Sequence, residues 1–479
     1  MKKMKTLIYA AAALLVLASC NKIEDLNKDI KNPSEVPGYS LFANAQRNLA
    51  DQLASTNVNV NVTRLYSQYW TETTYIDESN YDLTTRAIPD REFRVAYRDV
   101  LRDLKEAKVV LASEVASADE HTAQLALCDI MMVYAYQREV DIFGNIPYTE
   151  ALDITNVLPK YDDAQTVYGS LLATLNGAIA DLNSVVGISN VYIADNIYGG
   201  DIESWKKFAN TLKLKIGIHV SDVPSMNPGT IISQAVAAGV FTSNADNAAF
   251  GYESSSPNTN PLYSDLVASG RFDFVPANTI VDMMNDLADP RRDKYFEQNL
   301  GAGVYTGGTY GASNTYALFT HINPSISDPT LPVLFLSYTE VQFYLAEAAE
   351  KGLGSGAGSS YYEEGIRSSI EYWGGDALEA DAYLLNTDVA FATAAGTALE
   401  RIATQSWLAS YNRGMEGWTT WRRLDAPAFN PPPGLSQSDI PLRYTYPGNE
   451  QTLNGANYTS AAANIGGDVV QTPIFWDVN

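Results

Sequence analysis

The chain has 479 residues, 46% of them apolar and 18% charged, a balance that excludes a disordered chain and leaves ample material for a large core. Lys and Arg number 32 against 56 Asp and Glu, for a formal charge of −24; so acidic a chain lacks the clustered cations that a nucleic-acid partner requires. With 3 His and 2 Cys, a disulfide framework and a Cys/His zinc site are excluded too, while 30 Tyr stand out against 15 Phe and 7 Trp.

Lys2, Lys3 and Lys5 precede an apolar run from Leu7 to Leu17, then Ala18 and Ser19. This is the layout of a secretory signal peptide, and the run is too short to span a membrane as a helix. Leu17-Ala18-Ser19-Cys20 resembles the lipobox of bacterial lipoproteins, in which Cys20 would become the first mature residue and carry lipid on its sulfur and amino group. Several buried acyl chains, at about 0.8 kcal/mol per CH₂, hold a protein on a bilayer almost permanently. Residues 1–19 are thus expected to be a signal peptide and 20–35 a polar lipidated tether. Residues 36–479 are expected to form a single helical domain, anchored rather than membrane-spanning.

Helical stripes follow. Phe93, Tyr97, Val100, Leu104, Ala107 and Leu111 share one face, and Leu125 to Tyr136 is apolar nearly all round. Cys128 sits in that run and reads as a core thiol. Val167, Leu171, Leu175, Ala178 and Leu182 form another stripe, with Asp162 or Asp163 as its cap. Further stripes are Trp205–Phe208–Leu212–Ile216, Ile280–Met283–Met284–Leu287 before Asp289-Pro290, and Val341–Tyr344–Leu345–Ala348 before Gly352. Helical patterns also cover Tyr361 to Trp373 and Leu399 to Tyr411, without a fixed repeat period. Val333 to Leu336 is the best strand candidate. Long loops rich in Gly, Ser, Asn and Tyr run from Val240 to Ser264 and from Gly301 to Pro332, and loops of that length are commonly functional. The aromatic tail holding Tyr444, Tyr446 and Trp476 is expected to pack on the body.

No phosphate loop, dinucleotide fingerprint, nucleophile elbow or HExxH occurs, and His121, His219 and His321 are far apart in sequence. Among so many acids some pair would have the separation that glycoside hydrolysis uses, but sequence selects none. Asp195 and Asp201, with Asn196, are weak calcium candidates; turn and capping roles suit them better, since their spacing is not that of an EF-hand. No metal, cofactor or enzymatic activity is expected.

Local motifs in a fixed order resemble the SusD/RagB-type nutrient-binding lipoproteins of Gram-negative outer membranes, and more closely their SusD-like branch. Asn32-Pro33, Gln68-Tyr69-Trp70-Thr71-Glu72 and Asp141-Ile142-Phe143-Gly144-Asn145-Ile146-Pro147-Tyr148 carry the first part of the likeness. Tyr198-Gly199-Gly200-Asp201 with Trp205-Lys206-Lys207-Phe208-Ala209-Asn210 is similar to a helix start of that branch. Asn260-Pro261-Leu262-Tyr263, Asp289-Pro290-Arg291 and Glu340-Val341-Gln342-Phe343 follow. Trp407, Glu416, Trp418, Arg422 and Arg423 resemble a block in which Gly417 replaces the more usual alanine, and Pro441 to Pro447 ends the series.

The resemblance implies a mostly α fold, a tetratricopeptide-like scaffold of helix pairs carrying long irregular loops and few short strands. It implies a lipid-anchored protein at the outer membrane, facing the exterior. Such a protein would pass oligosaccharides, or peptides in a RagB-like version, to a partner TonB-dependent transporter barrel of the SusC type. No cofactor is implied. Family ligands are held by loops from the N-terminal part and the middle of the chain, which here correspond to Trp70, Tyr75 and Tyr81 and to Tyr263, Arg271 and Phe272. Aromatic faces stack on sugar C–H faces, a tyrosine hydroxyl adds an edge hydrogen bond, and an arginine fork can grip hydroxyls or a carboxylate. A surface-anchored hydrolase, or a subunit that merely closes the transporter, are the remaining readings.

Overall fold

The structure is a computed structural model that describes residues 36–114 and 117–478, with Met4 alone before them. The signal segment beyond Met4, Cys20 and the tether lie outside the described residues. Met1–Pro37 and Gly38–Asn479 form separate units, and every element below belongs to the second.

Consecutive helices pair. Helix α1 (Gly38–Ala54) packs on α2 (Arg102–Glu114), and α3 (Ala118–Phe143) packs on α4 (Ala164–Ser184). The series continues with α5 (Ile202–His219) on α6 (Pro228–Ala238), α7 (Tyr338–Glu350) on α8 (Gly358–Tyr372), and α9 (Ala398–Ala409) on α10 (Gly414–Leu424). Sequence sets the starts: Asp163 accepts from the Thr166 amide at the head of α4, and Asp201 from Ser204 at the head of α5. Ser337 and Glu340 form a reciprocal capping box on α7. The expected fold class, mostly helical with few strands, is the observed one.

The apolar stripes face inward as their spacing requires. Val100, Leu104, Ala107 and Leu111 are buried, as are Val167, Leu171, Leu175, Ala178 and Leu182. One feature departs from a plain helical reading: Val95–Leu101 is π-helical, joining Ile88–Arg94 to α2 without a break. Cys128 is fully enclosed in α3, and burial pushes its thiol far up. Among the described residues no helix is long and apolar enough to cross a membrane.

Charged pairs knit the helices where apolar packing ends. Lys215 of α5 donates to Glu416 of α10 at 2.8 and 2.9 Å, and Arg423 of α10 to Glu347 of α7 at 2.6 and 2.8 Å. Arg422 lies 3.8 Å from the Trp418 ring centre and donates to the carbonyl of Asp141 at 2.6 Å. The tail closes this end: Trp476 donates to the Asp141 carboxylate at 2.8 Å, and the Tyr444 amide to the Ile142 carbonyl at 2.8 Å.

Two short antiparallel ladders join distant loops. Strand β1 (Trp70–Glu72) pairs with β3 (Phe274–Pro276), and β2 (Ala249–Phe250) with β4 (Val333–Leu334). The first ladder brings the N-terminal and middle loops side by side.

Candidate ligand-binding site

At the end of the β1–β3 ladder the Thr73 amide donates to the Asp273 carbonyl at 2.8 Å and the Thr73 hydroxyl to the Phe272 carbonyl at 2.7 Å. The chains then diverge, and a cleft of about 460 Å³ opens between them. Tyr75 and Arg86 come from one side, Arg271 and Asp273 from the other, and Asn57 and Asn59 from the loop after α1. That loop is pinned by Asp265, which accepts from the Ser55 hydroxyl at 3.0 Å and from the Thr56 and Asn57 amides at 3.1 Å each.

The cleft carries mixed polarity. Arg271 forks onto Asp273 at 2.5 and 2.9 Å in solvent-facing geometry. Arg86 pairs with the enclosed Glu78. Glu72, at the cleft floor, accepts from the Ser79 amide at 3.0 Å and its hydroxyl at 2.7 Å. Burial, with Glu78 alongside, nonetheless pushes Glu72 up to about 8. Burial likewise raises Asp265, against the pull of its three donors.

The backbone here is strained. Gln68, Tyr75, Tyr81 and Ala87 hold φ of 55, 57, 72 and 50°, left-handed values that disfavour side-chain-bearing residues by about 1–2 kcal/mol each. Of the four, Tyr75 lines the cleft, and strain at such a residue is of the kind that gathers at ligand sites.

The six residues expected to carry binding fall in different places. Tyr75, 67% exposed, and Arg271 share the cleft. Phe272, 62% exposed, follows Arg271 and starts an aromatic run: its ring centre lies 4.7 Å from Tyr316, which stacks on His321 at 3.9 Å. Trp70 is 0% exposed, with Arg64 at 5.3 Å from its ring centre and its indole N–H donating to the Tyr411 hydroxyl at 2.9 Å. Tyr81 is buried against Tyr66 and Tyr310. Tyr263 is half-buried in the turn Pro261–Tyr263 and does not line the cleft. Sequence reasoning missed Asn57, Asn59, Arg86, Asp265 and Asp273, because tertiary contacts bring them together: the β1–β3 pairing for Asp273 and the Asp265 hydrogen bonds for the loop of Asn57 and Asn59.

Asp195 is saturated by five N–H donors, from Gln46, Ile197, Tyr198, Gly200 and Trp205, at 2.7–3.0 Å. Asp201 is the α5 cap. Both are turn and cap acids, and among the described residues no group of three or more His, Cys, Asp or Glu could hold a metal ion.

The family model SusD-like, described as starch-binding and associating with the outer membrane, matches residues 30–447. The chain belongs to the SusD-like family. Solved structures agree: a chitin-binding protein is 27% identical with a TM-score of 0.79, and the match covers 92% of this chain and 100% of that one. A SusD homologue from Bacteroides uniformis is 25% identical with a TM-score of 0.77, covering 92% and 99%. A chitin-binding SusD homologue from Flavobacterium johnsoniae, 24% identical with a TM-score of 0.76 and covering 92% and 98%, shares the fold. No curated protein matches the chain.

Proposed function

We propose that this chain is a non-catalytic cell-surface lipoprotein that binds oligosaccharides and passes them to a SusC-type TonB-dependent transporter. The observation that carries the reading is the cleft at the end of the β1–β3 ladder. It offers an exposed tyrosine face, an arginine fork and asparagine amides within one concave, strained loop cluster of a SusD-like chain. Stacking on Tyr75 with hydrogen bonds from Arg271, Asn57 and Asn59 suits a hydroxyl-rich ligand. The 27% identical relative is a chitin-binding protein, which makes N-acetylated sugar oligomers the first probes to use. Lipid at Cys20 would hold the protein on the outer face of the outer membrane.

Calorimetry against neutral oligosaccharides and peptides tests the reading. Heat of binding is expected for chito- or malto-oligosaccharides. Affinity for peptides alone would overturn the sugar assignment, and release of reducing ends by purified protein would overturn the non-catalytic one. Co-purification of a large outer-membrane barrel with the native protein is expected; its absence after gentle solubilisation would refute the transporter partnership.

A further inference from the structure

A second cleft, of about 390 Å³, shares a wall with the first. The shared wall is the segment Leu83 to Pro89: Arg86 lines the first cleft, whereas Thr84 and Ala87 line the second. Arg86 and Ala87 are consecutive, with Cα atoms about 3.8 Å apart, so the linings of the two clefts meet along this segment.

The wall is a firm ridge. Asp82 accepts from the Thr84 amide and hydroxyl at 2.8 and 2.9 Å, and from the Thr85 amide at 3.0 Å. Ala87 holds its left-handed conformation at the start of the helix Ile88–Arg94. Asp90 then accepts from the Gly448 and Asn449 amides, both at 3.0 Å, tying the ridge to the C-terminal block.

Across from the ridge stand Tyr446, Asn449, Gln451, Tyr458 and Asp468. Tyr458 is half-buried, set against Tyr446 at 6.2 Å between ring centres, and Asn449 and Gln451 are exposed. Asp468 accepts from Arg443 at 2.7 Å, the Tyr446 amide at 2.9 Å and the Tyr458 hydroxyl at 3.2 Å, which fixes the tyrosine. The Tyr446 hydroxyl is buried and has no hydrogen-bond partner among the described residues. No lysine or arginine lines this cleft to attract an anion, and its two carboxylates are already engaged, Asp468 by Arg443 and Asp90 by the two backbone amides. A fixed ring beside two exposed side-chain amides matches an uncharged, hydroxyl-rich ring.

We infer that this second cleft is a further sugar subsite, and that an oligosaccharide long enough to cross the Leu83–Pro89 ridge occupies both clefts. The inference rests on the reading that the first cleft binds sugar. Linking two weak sites through one ligand raises affinity steeply once the ligand spans them, so affinity is expected to jump at a threshold chain length.

Calorimetry of the full chain with chito-oligosaccharides and malto-oligosaccharides, from disaccharide to octasaccharide, tests it. Tyr458→Ala is expected to weaken the longest bound oligomer about tenfold, equivalent to about 1.4 kcal/mol, and to leave the shortest one unchanged. The exposed Gln451→Ala should act in the same direction without affecting folding. Tyr75→Ala should weaken every length. If both Tyr458→Ala and Gln451→Ala leave all lengths unchanged while Tyr75→Ala weakens them, the second subsite is refuted and the first stands. If the wild-type protein binds no oligomer of either series, both readings fall together.

Discussion

Replacing Glu72 by glutamine separates the charge of this carboxyl from its shape. The side chain sits on β1 at the cleft floor, 2% exposed, with Ser79 donating two hydrogen bonds to one of its oxygens. Burial, then the neighbouring Glu78, lift it to about 8, against the opposing pull of Ser79. In an unfolded chain a glutamate titrates at about 4.3. Between those values the folded protein keeps a proton that the unfolded chain has lost, so stability falls as pH rises through this window. Each pH unit corresponds to about 1.4 kcal/mol at most, so the whole drift amounts to a few kcal/mol. Glu72→Gln keeps the acceptor for Ser79 and has nothing to titrate. Urea unfolding followed by tryptophan fluorescence, at pH 5, 6, 7 and 8, should give a variant whose advantage over wild type is smallest at pH 5 and grows to pH 8. Taking the difference at each pH cancels the other acids. A difference that is flat with pH, or a variant less stable at pH 8, would refute the protonated carboxyl.

Other expected outcomes are as specific. Gly417→Ala should destabilise by about 1–3 kcal/mol, because its Cβ would stand 2.1 Å from the Tyr69 hydroxyl oxygen; helix propensity alone predicts a gain, so a raised melting temperature would disprove the clash. Tyr69→Phe in the same chain should recover part of the loss. Asp195→Ala should lower stability by at least about 3 kcal/mol, since it strips the acceptor from the enclosed Trp205 indole and Gln46 amide along with three backbone amides; a change within about 0.5 kcal/mol, as at an ordinary surface site, would contradict that role. EDTA or added calcium should leave the melting temperature unmoved, and a calcium-dependent rise would reinstate Asp195 and Asp201 as ligands. Arg271→Ala removes an exposed ion pair, so stability should shift by less than about 1 kcal/mol while calorimetric sugar affinity drops; retained affinity would take Arg271 out of the site. Cys20→Ala should release the protein from membranes on fractionation, and persistent tight binding would refute the anchor.

The scaffold was legible because its information is local. Val167, Leu171, Leu175, Ala178 and Leu182 repeat at helical spacing, Asp163 stands where a cap must, and α4 forms there with that face buried. The strand expected at Val333 to Leu336 appears as Val333–Leu334. The π-helical turn Val95–Leu101 is where the stripe departs from its spacing: Phe93 and Tyr97, expected on the core face, are half-buried, and Val95 and Ala96 are buried instead. The loops of the candidate site were legible in outline only. Trp70 and Tyr75 lie five positions apart in one aromatic segment, yet one is fully enclosed and the other 67% exposed. The difference is set by tertiary partners, Arg64 and Tyr411 for the first, and by the left-handed turn at Tyr75 for the second. Arg271 and Asp273 become neighbours of Tyr75 only through the pairing of Glu72 with Phe274, across some two hundred residues of chain. A pairing of that range has no periodic signature in the strands themselves, each three residues long. The same logic explains Gly417. Read alone it is a weak helix residue where alanine is more usual in the family block; in the fold it is the space through which the Tyr69 hydroxyl reaches the Trp407 carbonyl at 2.5 Å, locking the start of the cleft-bearing segment to α9.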